Sequence, residues 1–200
     1  MNNEIIDMLV HPFNHKWTVQ GLGMMRTYLD ETRRLHIWHS ALKVPGATPL
    51  HDHPWDFTSE IIFGNMNQNR FEIVEGETSL HPVPMMKQKI QCGEGGDMVG
   101  EPEEVRLVAK PMETYYEGQW YSQEAHEIHD TFPMDNTITI INRVYHENRD
   151  FANVYYAKGG EFVSAHPRPA SPAEVLFITR EVLRAYQASG SSSSGIFRPA

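Results

Sequence analysis

Residues 49–64 read PLHDHPWDFTSEIIFG, with His51 and His53 two positions apart. In extended backbone, residues i and i+2 point to the same face. Two neutral imidazoles held in this way offer nitrogen ligands at adjacent corners of a metal ion, and the chain sets their separation. Pro54 restrains His53, the residue before it, to extended conformation. Asp52 points away from both and is read as an anchor for a loop. Trp55 and Phe57 are read as wall rather than as a substrate platform, because aromatic side chains dominate cores. A third nitrogen has to come from a distant segment, and Gly118–Asp130, GQWYSQEAHEIHD, offers His126 and His129. Strand parity puts these two on opposite faces, and His126 is the expected ligand. The competing reading is a histidine-lined cavity without an ion, in which three imidazoles are desolvated uncompensated. Arg143 and Arg70 are the candidates to hold an anionic substrate, with ion pairs at the rim of the fold as the alternative. The remaining histidines (His11, His15, His36, His39, His81, His146 and His166) share no spacing rule and are read as surface or packing residues.

The pattern around the pair carries a family resemblance. Gly46 lies five residues before His51, and Gly64 closes the apolar segment that follows, as in the first motif of the cupin superfamily. Gly118, then His126, then the strand-like TITIINRVY of residues 137–145 resemble the second motif. The combination is similar to the thiol dioxygenases, a cupin branch that binds iron through three histidines and no carboxylate. AHEIHD, over His126 to Asp130, compares with the segment of that family's third histidine, and Tyr145 with the tyrosine ending its next strand. The serine and histidine preceding that tyrosine are replaced here by Ile141 and Arg143, and no cysteine stands where some members form a thioether. HDHPW also resembles uncharacterised phage and bacterial cupins. The resemblance spans roughly residues 34–146.

It implies His51, His53 and His126 as metal ligands, with Tyr145 and Arg143 as catalytic residues. Fe(II) is the implied metal, with Zn, Mn or Ni as alternatives. Asp56 and Glu60 follow His53 by three and seven residues, so neither sits at the usual spacing of a fourth, acidic ligand. The implied function is a metal-dependent, Fe(II) dioxygenase-like oxidoreductase acting on a small-molecule substrate. Two alternatives stay open. One is a metal-dependent isomerase or lyase in which Tyr145 or Glu60 moves a proton. The other is a non-enzymatic binding protein.

The elements that must position these residues are strands. From Trp17 onward the apolar pattern has period two: Thr27–Leu29, Arg34–Leu42, Phe57–Phe63, Arg70–Val74, Val105–Lys110, Glu113–Tyr116, Thr137–Tyr145 and Val154–Ala157 read as strands. Thr78–Leu80 reads as a short return strand, and Lys158-Gly159-Gly160 as a hairpin turn into Glu161–Val163. Residues 82–102 read as a long connection with one strand, Lys87–Gln91. Asn3–Val10 has apolar residues at helical spacing and stops before His11-Pro12. Near the other end, Ser171-Pro172-Ala173-Glu174 is a capping box with proline in the first turn, opening an amphipathic helix to about Ala188. The expected fold is therefore all-β, a cupin-like β-barrel (jelly roll) with its core at about 34–164. A short N-terminal helix and a C-terminal helix pack outside it. One domain over 1–188 is expected, followed by a flexible Ser/Gly-rich tail at 189–200.

Composition narrows the partners. At 200 residues the chain can build one real core. A net charge of −9 repels nucleic-acid backbones and anionic bilayers, so neither is an expected partner. The single cysteine, Cys92, excludes an intrachain disulfide or a thiolate cage. The opening MNNEIIDMLVHPF lacks the basic end and long apolar run of a secretory signal, and the expected location is the cytoplasm. A homodimer is compatible with everything above.

Overall fold

The structure, a computed structural model, describes residues 1–76, 81–92, 97–146 and 150–190. Its order is α1 (Asn3–Val10), a 3-10 turn (Pro12–Asn14), β1 (Thr18–Gln20), β2 (Leu22–Tyr28), β3 (Arg33–Lys43), β4 (Asp56–Phe63), β5 (Asn65–Ile73), β6 (Val83–Gln91) and β7 (Met98–Ala109). Then follow β8 (Glu113–Tyr116), β9 (Trp120–Gln123), β10 (Ile128–Pro133), β11 (Thr137–Val144), β12 (Phe151–Ala157), β13 (Arg168–Pro169) and α2 (Pro172–Ala188). The protein is mainly β, with two antiparallel sheets, one of them a curled half-barrel. One sheet runs β13-β1-β2-β3-β11-β4-β9; the other runs β10-β5-β7-β6-β12, with β8 added beside β5. No helix among the described residues is long and apolar enough to cross a membrane.

The largest apolar cluster lies between the seven-stranded sheet and the helices, not between the sheets. Ile5, Met8 and Leu9 of α1 and Val175, Ile178 and Val182 of α2 meet Val19, Met25, Leu35, Ile37 and Ile138. This follows from the alternation of β3. Leu35 and Ile37 face the helices while Arg34, His36 and Trp38 face the other way, and Arg34 through Trp38 are all buried. A strand covered on both faces has no solvent side. Between the sheets, two smaller apolar clusters share the space with buried Arg34, His36, Ser59, Gln68, Gln123, His129 and Arg143.

A bulge divides β4 between the two environments. Ile61 and Phe63 oppose the consecutive residues Thr139 and Ile138, so the strand gains a residue and its alternation changes side. Phe57 and Ile61 consequently join an inner cluster while Phe63 joins the helix-side one. Gly64 then turns the chain into β5 at φ +82°, with Thr137 so close that an added Cβ lies 2.7 Å from its Oγ1.

Most expected strands form, several of them longer, and α1 and α2 match their expected spans, α2 with its capping box intact. Two expectations differ. Residues 82–102 are not a connection: β6 and β7 are long paired strands. Their prolines fit because the missing N–H is not needed. Pro84 precedes the stretch of β6 paired to β12, which starts at Met85, and Pro102 sits where β7 has no second neighbour among the described residues and its register shifts. Glu161–Val163 forms no strand; after the turn closed by Gly160 N to Ala157 O (2.9 Å), the chain crosses to the other sheet, where β13 pairs with β1. The expected return strand Thr78–Leu80 and residues 191–200 of the expected tail lie outside the described residues.

Candidate metal centre

The H-x-H segment runs between the ends of two strands. His51 N donates to His129 O (3.0 Å) and His129 N donates to His51 O (2.9 Å), so the two residues form a hydrogen-bonded antiparallel pair. Residues directly opposite in such a pair project to the same side. On the other flank His51 bridges Val154 of β12, and Asp52 N donates to Asn153 O. His53, two residues on, joins His51 and His129. Ring centroids lie at 4.7 Å (His51–His53), 4.6 Å (His51–His129) and 5.2 Å (His53–His129). One ring nitrogen from each lies within 4.8 Å of the others.

His129, not His126, stands with the pair. The parity argument assumed extended chain from Gln123 onward, but residues 124–127 form a turn closed by Glu127 N to Glu124 O, with His126 at φ +63°. Alternation restarts only at Ile128, the first residue of β10, which pairs His129 with Arg70 of β5. The His126 backbone N–H donates to His53 O at 2.7 Å, so the turn braces the H-x-H segment. Its ring goes to the far side, where Nδ1 lies 3.4 Å from Asp52 Oδ1.

The rings are set up as neutral nitrogen donors. His51 Nδ1 is 2.7 Å from the Pro49 carbonyl, which can only accept, so Nδ1 carries the hydrogen and Nε2 keeps its lone pair. His129 Nδ1 faces the Glu127 carbonyl at 3.1 Å. The Gln123 side-chain amide also closes on it, itself held by Gln68 at 2.6 Å. Burial holds all three imidazoles below their ordinary pKa, His53 and His129 far below it. His53 is pushed further by His51, His129 and the Arg34 guanidinium. Trp55 stacks on His53 (5.0 Å, 17°) and Phe57 meets it edge-on (5.7 Å), so both aromatics wall the imidazoles. The three neutral nitrogens converge within 4.8 Å of one another, so the group could hold one metal ion, with small ring movements bringing each nitrogen to the about 2.0–2.2 Å usual for a metal–imidazole bond.

The carboxylates do other work. Asp52, 1% exposed, accepts from Asn153 N (2.8 Å), Asn153 Nδ2 (2.7 Å) and Tyr155 Oη (3.2 Å), tying the H-x-H segment to β12. Asp56 accepts from Ala125 N and His146 Nε2, both at 2.7 Å. Glu60 alternates away from Ser59 and Ile61 and lines an outer groove against α1. The Nδ1 atoms of His51 and His129 each face a main-chain carbonyl rather than one of these carboxylates.

Arg70 takes the ion-pair alternative: Nη1 sits 2.9 Å from Glu127, and Nε sits 2.9 Å from Glu113 without hydrogen-bond alignment. Arg143 is 3% exposed, donating from Nε to Thr32 O (3.2 Å) and from Nη2 to Glu31 O (3.1 Å). Tyr145 is half exposed at the rim, edge-on to Trp55, with Arg143 Cζ 4.7 Å from its ring centre. Sequence reasoning passed over Arg34 and His36, which share the inner face with Arg143. The signal was present: Arg34-x-His36-x-Trp38 alternates with Leu35 and Ile37, which puts three polar or amphipathic residues on one face.

No protein-family model matches the sequence, and no curated protein matches it.

Proposed function

We propose that the protein is a metal-dependent enzyme of cupin-like, jelly-roll architecture, in which His51, His53 and His129 hold one divalent ion. Of the activities compatible with such a donor set, an Fe(II) dioxygenase-like oxidation of a small molecule is the reading favoured here. The observation that carries it is the reciprocal main-chain pairing of His51 with His129. Ligand position is then fixed by sheet geometry rather than by flexible loops. All-nitrogen, uncharged ligation leaves an ion its full positive charge, and Fe(II) bound in that way supplies dioxygen chemistry. The chain's own contribution is to keep the imidazoles unprotonated by burial, to fix their orientation through the Pro49 and Glu127 carbonyls, and to wall them with Trp55 and Phe57. Tyr145, at the rim beside Trp55, is positioned to give or take a proton at the mouth of the site.

The test compares two histidines three residues apart. Protein purified without added metal, then loaded anaerobically with Fe(II), is assayed for metal content and for dioxygen consumption with candidate small-molecule substrates. His53→Ala and His129→Ala are expected to weaken metal affinity by at least about 100-fold, beyond the 10–100-fold typical of losing an outer partner. His126→Ala should keep stoichiometric metal. Full retention at wild-type affinity by a correctly folded His129→Ala protein overturns the assignment.

A further inference from the structure

Beside the three histidines, the inner face of the seven-stranded sheet carries a cluster of buried cations without anions. Arg34 is 8% exposed and Arg143 is 3% exposed. Arg34 Nη2 donates to Tyr28 Oη (2.7 Å), and Arg143 donates only to the carbonyls of Thr32 and Glu31. Among the described residues neither is paired with a carboxylate: every partner is a neutral oxygen. Arg26, across from His36 on β2, completes a trio; its Nε donates to Thr18 Oγ1. Burial and repulsion from Arg34 hold Arg26 and Arg143 down to about 10, and burial lowers Arg34. Buried charge without a counter-charge is costly, and proteins ordinarily pair it.

Buried nitrogens at the same place lack partners. Arg34 Nε, His36 Nε2 and Trp55 Nε1 are shielded from solvent and make no hydrogen bond among the described residues. Such orphans are uncommon in folded proteins and call for an explanation. Arg34 and Arg143 each have Cζ 5.9 Å from the Trp55 ring centre, and Trp55 stacks on His53. Tyr28 and Tyr145, each about half exposed, form the solvent-side border and also pack on the guanidiniums.

We infer that Arg34 and Arg143, with Trp55 Nε1 and Arg34 Nε as further donors, form a binding site for a small oxyanion, the carboxylate or phosphate group of the substrate. This inference names the substrate class of the site proposed above, and rests on that reading only for the role of the bound anion, not for its binding. Guanidinium forks match the planar oxygens of such groups, and a bound anion supplies both the missing counter-charge and the missing acceptors. Trp55 lies between the arginines and His53, so a bound anion sits one aromatic ring away from the histidines. The alternative is that the arginines serve packing alone, stacked on Tyr28, Trp55 and Tyr145.

The experiment uses metal-free full-length protein at pH 7.5 and fixed ionic strength, with melting temperature read against acetate, inorganic phosphate and chloride. A ligand at about tenfold over its Kd is expected to raise the melting temperature by about 3–5 °C. Acetate or phosphate should do so saturably and chloride should not; which of the two acts identifies the source of the oxyanion. Arg143→Gln and Arg34→Gln should each lower the anion affinity by about tenfold or more while leaving the metal content of loaded protein unchanged. Should the glutamine variants fail to fold, Arg34→Lys is used, which keeps the charge and loses the fork; weakened anion binding is again expected. No saturable effect of either oxyanion on the wild type beyond that of chloride overturns the inference, as does undiminished binding in folded arginine variants. Either failure leaves the histidine results untouched, and loss of metal binding in the wild type leaves the anion result standing.

Discussion

Lowering the pH from 7.5 to 5.5 should destabilise the metal-free protein well before its carboxylates titrate. His36 and His129 are 6% and 3% exposed, and burial depresses both far below 6.5; His36 is depressed further by Arg26, Arg34 and Arg143. A depressed histidine is neutral in the folded state, whereas the unfolded chain takes up the proton near pH 6.5. The unfolded state then binds more protons as pH falls, so the contribution to stability is full above 6.5 and is lost below it, down to the folded pKa. Each such group contributes at most about 1.4 kcal/mol of loss per pH unit below 6.5. Two of them lose about 2.7 kcal/mol between pH 7.5 and 5.5, most of it below 6.5, or about 5–11 °C in melting temperature for a chain of this size. His53 adds in the same direction. Paired carboxylates such as Glu174, held down to about 2, lose their contribution only below their unfolded range near pH 4.5, outside this window. Asp130, which burial raises, acts in the opposite sense, so the decisive comparison is with His36→Gln. That variant keeps a neutral polar side chain and should halve the two-histidine slope. Thermal melts in a chelator across pH 7.5–5.5 read both. A flat or rising melting temperature over that interval, or an unchanged slope in His36→Gln, refutes the argument.

Other outcomes follow from single contacts. Gly64→Ala should cost about 2–4 kcal/mol, because φ +82° disfavours a side chain and the new Cβ meets Thr137 backbone at 3.0 Å as well as its hydroxyl; urea unfolding within 0.5 kcal/mol of wild type contradicts this. Asp52→Asn should cost about 2–3 kcal/mol, because the new NH2 faces a donor in either orientation: Asn153 N in one, Asn153 Nδ2 and Tyr155 Oη in the other; an unchanged urea midpoint shows that the tie to β12 is not needed.

Much of the architecture could be read from local chemistry. The capping box at Ser171 and Glu174, the spacing of Ile5 and Leu9, and the period-two runs of β3, β4 and β11 are signals within a few residues of each other. So is the shared face of His51 and His53, since two positions of extended chain suffice to set it. The residue completing the group was a different matter. Whether His126 or His129 meets the pair depends on where the turn at residues 124–127 ends, and that is decided by β10 pairing with β5 and with His51, contacts 57 or more residues away in sequence. The strands over residues 82–102 depended likewise on partners: Pro84 and Pro102 argue against strand locally, and their places in the sheet, Pro84 before the stretch paired to β12 and Pro102 at the register shift between β7 and β6, accommodate them. Side also had to wait for the tertiary structure. Periodicity shows that Leu35 and Ile37 face one way and Arg34 and His36 the other, but period two is symmetric and carries no label for inside or outside. Two helices covering the apolar face settled it, and in doing so they turned the polar face inward, where Arg34, His36 and Arg143 now lie beside the histidines.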